Sequence, residues 1–159
     1  MIALAQSVAK VLQAKRALLV TAESCTGGWA AQVVTSVAGS SDWFERGFVT
    51  YSNESKIELL GVKRETLERC GAVSEQTARE MALGALARSR GTLGLAITGV
   101  AGPGGGSEAK PVGTVCFAWA SRGGDVRSET RLFAGDREAV RRQSVEHALA
   151  GVLARLDGG

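Results

Sequence analysis

The chain of 159 residues has one histidine, one tyrosine, two prolines and three cysteines. Each scarcity excludes something. A metal centre built on paired imidazoles is out of reach of the lone His147, and Cys25, Cys70 and Cys116 are widely spaced, with no CxxC pair to replace it. An odd set of scattered cysteines points instead to reduced thiols and a cytoplasmic setting. No apolar run approaches the length that spans a bilayer. The N-terminus places Ile2, Ala5, Val8 and Leu12 at helical spacing among polar residues, so it lacks the continuous apolar stretch of a signal peptide, and no membrane partner is expected. Charge of one sign is also never concentrated. Nineteen Lys and Arg against sixteen Asp and Glu leave +3, scattered along the chain, so nothing tracks a phosphate backbone and nucleic acid is not expected as a partner. An anionic small molecule suits this balance, because one or two arginines hold a single phosphate.

What is present is apolar residues, at 45%, and glycine, at 21 positions. That is enough for one core and a single domain over residues 1–159. Periodicity predicts a helix over 2–14, a buried strand at "ALLVTAE", a helix from "TGGWAAQVVTSV" and a strand at "WFERGFVTYS". Short helices follow at Asn53–Leu60 and Arg64–Cys70. Ser74 is placed to cap a longer helix that buries Ala78, Met81, Ala82, Ala85 and Leu86 and ends near Gly91. "TLGLAIT" and "TVCFAWAS" read as strands on either side of a glycine-dense loop, "RSETRLFA" closes a hairpin, and a last helix starts near Asp136. Five strands interleaved with helices predict an α/β fold, a three-layer α/β/α sandwich with a five-stranded mixed, mostly parallel sheet.

Two turns fall at the strand ends where such sheets bind ligands, "ESCTGG" and "GVAGPGGG". In the first, Ser24 stands where a strand meets a helix, beside backbone N–H groups able to hold a phosphate or an oxyanion. The plainer reading is that Ser24 or Thr26 caps the helix, and that Cys25 is a small buried side chain. The first glycine of G-x-S-x-G is missing, so the hydrolase elbow is not matched. A serine nucleophile needs a base. On the last helix His147 falls opposite the apolar line Val145, Leu149, Val152 and Leu156, so it is expected in solvent and a histidine triad is not expected.

Lysine is the other partner for serine, once its amine is neutral. In "YSNESK", with Asn53 as cap, Lys56 falls at the third helical position, where the dipole disfavours a cation and pushes it toward its basic form, although Glu54 opposes this. Tyr51 closes the preceding strand and is able to relay a proton. Taken alone, Lys56 reads more plainly as an exposed surface lysine and Tyr51 as a strand-end aromatic. The second turn lacks the strand-to-helix context and the GK[ST] ending of nucleotide loops, so its glycines serve a close backbone approach, a lid or a plain flexible loop. Arg141 is in line with the buried stripe of the last helix and wants an anion; Arg137 flanks it one turn earlier.

"TAESCTGG", "GFVTYSNESK", "GAVSEQTAREMA", "ITGVAGPGGGSEAKPVGTV" and "GDREAVRRQSVEHAL" together resemble the CinA C-terminal domain family, whose members include nicotinamide-nucleotide amidases. The resemblance covers nearly the whole chain. It implies hydrolysis of the carboxamide of nicotinamide mononucleotide to nicotinate mononucleotide and ammonia, with no metal and no cofactor. Carried over, Ser24 is the nucleophile, Tyr51 the proton relay and Lys56 the base. Substrate contacts are expected from Glu23, Cys25, Thr26, Gly27 and Gly28 in the first turn and from Thr98, Gly99, Gly102, Gly104 and Gly105 in the second. Arg137 and Arg141 are both carried for the phosphate, with the helical face favouring Arg141. The chain resembles the stand-alone form rather than the longer members with an N-terminal domain, so the pyrophosphatase activity of that domain is not expected here. An alternative of another class is a non-catalytic module that senses a pyridine nucleotide for a regulatory partner. A homo-oligomer stays open.

Overall fold

A computed structural model describes residues 1–157. The elements are α1 (Ile2–Lys15), β1 (Leu19–Glu23), α2 (Trp29–Thr35), β2 (Phe44–Val49), α3 (Asn53–Leu60), α4 (Arg64–Cys70), α5 (Glu75–Ala87), β3 (Leu93–Gly99), β4 (Thr114–Ser121), β5 (Val126–Leu132) and α6 (Arg137–Asp157). The strands form one sheet in the order β2-β1-β3-β4-β5. β1 lies parallel to β2 and β3, whereas β4 is antiparallel to both β3 and β5. Four strands therefore run one way and β4 alone runs the other, which makes the sheet mixed.

Strand alternation sorts the side chains by size. On β4, Val115, Phe117 and Trp119 face the core shared with α1, α2 and α6, while Cys116, Ala118 and Ala120 face the core shared with α5. The small face lets α5 come close. A Cβ on Gly94 of β3 would stand 2.8 Å from the Ala82 carbonyl oxygen, and one on Gly84 of α5 would stand 1.8 Å from that of Leu60, the last residue of α3. Helices thus cover both faces, giving the expected α/β/α sandwich.

Local chemistry explains most boundaries. Ser74 Oγ accepts the Thr77 N–H at 3.1 Å and opens α5 as expected, but that helix stops at Ala87 rather than near Gly91. α2 starts three residues later than its first threonine because Thr26–Gly28 form the turn itself, and Gly28 has φ 101°, a conformation suited to glycine. A single 3₁₀ turn at Ser40–Asp42 was not expected from periodicity. None of the described helices is long and apolar enough to cross a membrane.

The parallel register decides where function can gather. Glu23 at the end of β1 is level with Ile97 of β3 and Val49 of β2. The Ser24 N–H continues one ladder to the Ile97 carbonyl at 2.9 Å, and the Thr50 N–H continues the other to the Glu23 carbonyl at 2.8 Å. Three loops therefore leave the sheet side by side: the serine turn, the entry to α3 and the glycine-rich loop.

Candidate active site

The turn after β1 is anchored from beneath by an acid. Glu23 is buried, and its carboxylate accepts the Thr26 hydroxyl at 2.6 Å and the N–H groups of Ala30 and Ala31 at 2.8 and 3.1 Å. Those are first-turn donors of α2, so Glu23 supplies what an N-cap side chain would. Ser24 and Thr26 do not cap the helix. Ser24 is left with its hydroxyl turned to a different partner.

That partner is Lys56. Its Nζ donates to Ser24 Oγ at 3.1 Å and to the Thr50 carbonyl at 2.8 Å, and the residue is 1% exposed. The sequence expectation for α3 is corrected here by one residue. Ser52, not Asn53, is the N-cap: its Oγ accepts the Ser55 N–H at 3.0 Å while Ser55 Oγ accepts the Ser52 N–H at 3.1 Å. This reciprocal pair outcompetes Asn53 and moves Lys56 to the fourth helical position, on the same buried face as Leu60. The cause of its basicity also changes. Burial, rather than the helix dipole, pulls the Lys56 pKa down, because an ammonium loses its hydration there. Glu54 does not counter this, since it pairs with Arg64 at 3.1 Å on the surface. The opposing influence is the Cys25 thiolate, yet burial, helped by Glu23, pushes the Cys25 thiol up to about 12. Near neutral pH that thiol is uncharged, so it is inert and leaves the lysine unopposed.

A cleft of about 290 Å³ opens over this pair. Ser24, Cys25, Tyr51, Lys56, Thr98, Gly99, Gly102, Gly104, Gly105 and Arg137 line it, together with Asn53, Ala72, Val73, Val100, Ala101 and Gly106. Thr98 ties its wall together, donating to the Ala72 carbonyl at 2.9 Å. Tyr51 is 61% exposed, and Arg137 bridges the rim, donating to the Gly102 carbonyl at 2.7 Å and to the Tyr51 hydroxyl at 3.0 Å. Glu23, Thr26, Gly27, Gly28 and Arg141 lie behind this lining. Arg141 points two donors at the turn itself, to the Cys25 carbonyl at 3.1 Å and the Thr26 carbonyl at 3.2 Å, with its guanidinium over the Trp29 ring. The anion it was expected to want is met by carbonyl oxygens.

With these carbonyls occupied from the α6 side, the turn's N–H groups divide. That of Gly27 is used by the Ser24 carbonyl at 3.0 Å, while those of Cys25, Thr26 and Gly28 have no backbone acceptor among the described residues. His147 is corrected outright. It is not in solvent: its ring packs 4.7 Å from that of Phe117, and Nε2 lies 2.9 Å from Glu129 Oε1. The wide aromatic face of β4 draws it in, which an apolar line on α6 alone does not reveal.

Sequence reading missed Thr50, whose carbonyl holds the lysine, and Asn53, Ala72, Val73, Val100, Ala101 and Gly106 in the lining. Thr50 had a usable signal, since it is the first residue beyond a strand parallel to β1. A larger cavity of about 630 Å³ lies beside the cleft, between Cys70, Ser74, Glu75, Lys110, Cys116 and Thr130, but it holds no serine paired with a buried base. No group of three or more His, Cys, Asp or Glu able to hold a metal occurs among the described residues.

Comparison with known proteins agrees over almost the full length. A family model described as the CinA C-terminal domain matches residues 1–156. The nicotinamide-nucleotide amidohydrolase PncC of Escherichia coli K12 is 56% identical over 146 residues, covering 92% of this chain and 88% of that protein. A putative competence-damage inducible protein of Symbiobacterium thermophilum is 50% identical, covering 98% of this chain but 38% of its own length. Among solved structures, a competence/damage inducible protein from Agrobacterium tumefaciens superposes with a TM-score of 0.94 at 46% identity, over 98% of this chain and 94% of that one.

Proposed function

The chain belongs to the CinA C-terminal domain family, and from that premise we propose that it is a nicotinamide-nucleotide amidase working through a serine and a lysine. The observation that carries the mechanism is the 3.1 Å contact between Lys56 Nζ and Ser24 Oγ at the floor of an open cleft. A lysine whose pKa is lowered by burial gives up its proton more readily than an exposed one and lies within reach of the proton it must take.

In the reaction, Ser24 Oγ attacks the carboxamide carbon of nicotinamide mononucleotide as its proton passes to Lys56 Nζ. The developing oxyanion is stabilised by free N–H groups of the Cys25–Gly28 turn. Lys56 then returns the proton to the departing nitrogen, the C–N bond breaks, and ammonia leaves an acyl-enzyme ester on Ser24. Water attacks that ester, giving its proton to Lys56. The C–O bond to Ser24 breaks, the serine recovers a proton, and nicotinate mononucleotide is released. Arg137 is the phosphate anchor favoured by its place in the cleft, and Arg141 is a positioning residue that holds the turn. Tyr51, bridged to Arg137, orients that guanidinium and exchanges protons at the rim.

The test is ammonia release from nicotinamide mononucleotide by wild type in a metal chelator, beside Ser24→Ala and Lys56→Ala. Turnover in wild type, lost in both folded variants, is the expected result. Saturable nucleotide binding with no ammonia from wild type overturns it in favour of a nucleotide sensor.

A further inference from the structure

The sheet ends on β5, whose outer edge no other strand among the described residues covers. Its pairing with β4 fixes which backbone groups face outward. The Ser121 N–H donates to the Asp125 carbonyl and the Phe133 N–H to the Gly113 carbonyl, both in the register of the β4–β5 ladder. Odd-numbered residues of β5 therefore turn their backbone groups to β4. Val126, Ser128, Thr130 and Leu132 turn theirs away from it.

Only residues of that even set can exchange hydrogen bonds with an added antiparallel strand, which limits a second copy of β5 to a few registers. The segment Asp125-Val126-Arg127-Ser128-Glu129-Thr130-Arg131 discriminates sharply among them. Centred on Arg127 or on Glu129, self-pairing sets like charges opposite one another. Centred on Ser128, it sets Arg127 against Glu129 and Asp125 against Arg131, twice each by symmetry. These are the non-hydrogen-bonded positions, where facing side chains come closest. Registers displaced further, to Val126 or Thr130, keep one kind of opposite pair but leave much of the strand unpaired. Arg127 and Asp125 have side chains 76% and 65% exposed, and within one chain Asp125 pairs with Arg127 at 3.6 Å and Arg155 at 3.0 Å while Glu129 pairs with Arg131 at 3.3 Å and His147 at 2.9 Å, so a partner's charges would join these pairs rather than meet empty ones.

The other edge has no such property. On β2 the charges are Glu45 and Arg46, adjacent residues that already pair with each other at 2.8 Å and, one odd and one even in number, never stand opposite each other in a regular antiparallel self-pairing. Charged residues on an edge ordinarily ward off pairing in general. Here their order favours the central register over its neighbours on either side.

We propose that β5 is a homodimer interface, formed by antiparallel pairing of two copies about a two-fold axis at Ser128, which joins two sheets into one. The occupant is a second copy of this chain, selected by the self-complementary charge order. The proposal is independent of the amidase chemistry, because the cleft lies at the ends of β1 and β3.

Sedimentation velocity over a concentration series tests it. Wild type is expected to show a concentration-dependent dimer. Arg127→Glu and Glu129→Arg, each made alone, place like charges opposite one another and are expected to raise the dissociation constant about tenfold or more. Mixed in equal amounts, they are expected to form a heterodimer. The acids that the first variant carries at positions 127 and 129 then face the arginines that the second carries at 129 and 127, and the remaining pairs are also opposite in sign. Circular dichroism of each variant checks the fold, and Arg127→Glu disturbs only an exposed residue. A wild type that stays monomeric overturns the proposal. So does a dimer unmoved by either reversal, or two monomeric variants that ignore each other when mixed.

Discussion

Two polar pairs meet at one cleft and differ in nearly everything but position. Lys56 and Ser24 are 1% and 8% exposed, and the lysine has exchanged water for one hydroxyl and one carbonyl. Arg137 and Tyr51 stand at the rim, with Tyr51 61% exposed and the guanidinium bridging two loops. Burial turns a cation into a base, whereas exposure leaves a cation available to grip an anion. On the proposed mechanism the floor pair transfers protons and the rim pair binds the phosphate.

The sharpest way to break this contrast is to remove the floor pair. Ser24→Ala or Lys56→Met is expected to lower turnover by about 10³-fold or more, and the two together by little beyond either alone, because they act as a unit. Ammonia release checks both. Lys56→Met should also raise the melting temperature, since a buried cationic head is replaced by a thioether. The sign with pH follows from the lowered folded-state pKa. Between that value and the ordinary lysine value of about 10.4, the native state binds fewer protons than the unfolded one, so wild-type stability rises with pH. The methionine variant's advantage is therefore full below the lowered pKa and shrinks as pH rises from there toward the ordinary lysine value, which thermal melts across pH would show.

Next in size is the support under the floor. Glu23→Gln removes a charge that accepts three hydrogen bonds and is expected to cost about 1–3 kcal/mol of stability, together with about tenfold or more in kcat. KM should hold, because Glu23 does not line the cleft; a loss confined to KM would contradict that placement. At the rim, Arg137→Ala is expected to raise KM about tenfold or more while stability changes by about 0.5 kcal/mol or less. Arg141→Ala should show the opposite split, lowering kcat through the turn. Smallest is the pH profile of kcat/KM, whose rising limb should end below the ordinary lysine value of about 10.4 if Lys56 works as the proposed neutral amine. A limb at the ordinary value would remove burial as the source of its basicity.

Much of this was legible in the chain. Strands buried on both faces announce themselves as apolar runs, and the bounds of α3 and α4 coincide with the sequence reading. The arginines and the lysine were less legible. Periodicity placed Arg141 on an inward face but could not say that carbonyls of the serine turn wait there. Ser52 and Asn53 are both good caps, and only the reply from Ser55 decides between them. His147 was misplaced because its neighbours come from β4 and β5, far away in sequence. For Arg141 and His147 the missing fact was a partner distant in sequence, whereas for the cap it was a hydroxyl three residues away.

The absent side chain at Gly84 has a reach that its distance from the cleft conceals. A methyl there would collide with the Leu60 carbonyl, and α3, the helix that would have to move, carries Lys56 one turn before that carbonyl. The spacing between Lys56 and Ser24 therefore depends on the gap between two helices. An alanine at position 84 would act as a catalytic lesion while touching neither reacting group, detuning the 3.1 Å contact as a bent mount misaligns a lens.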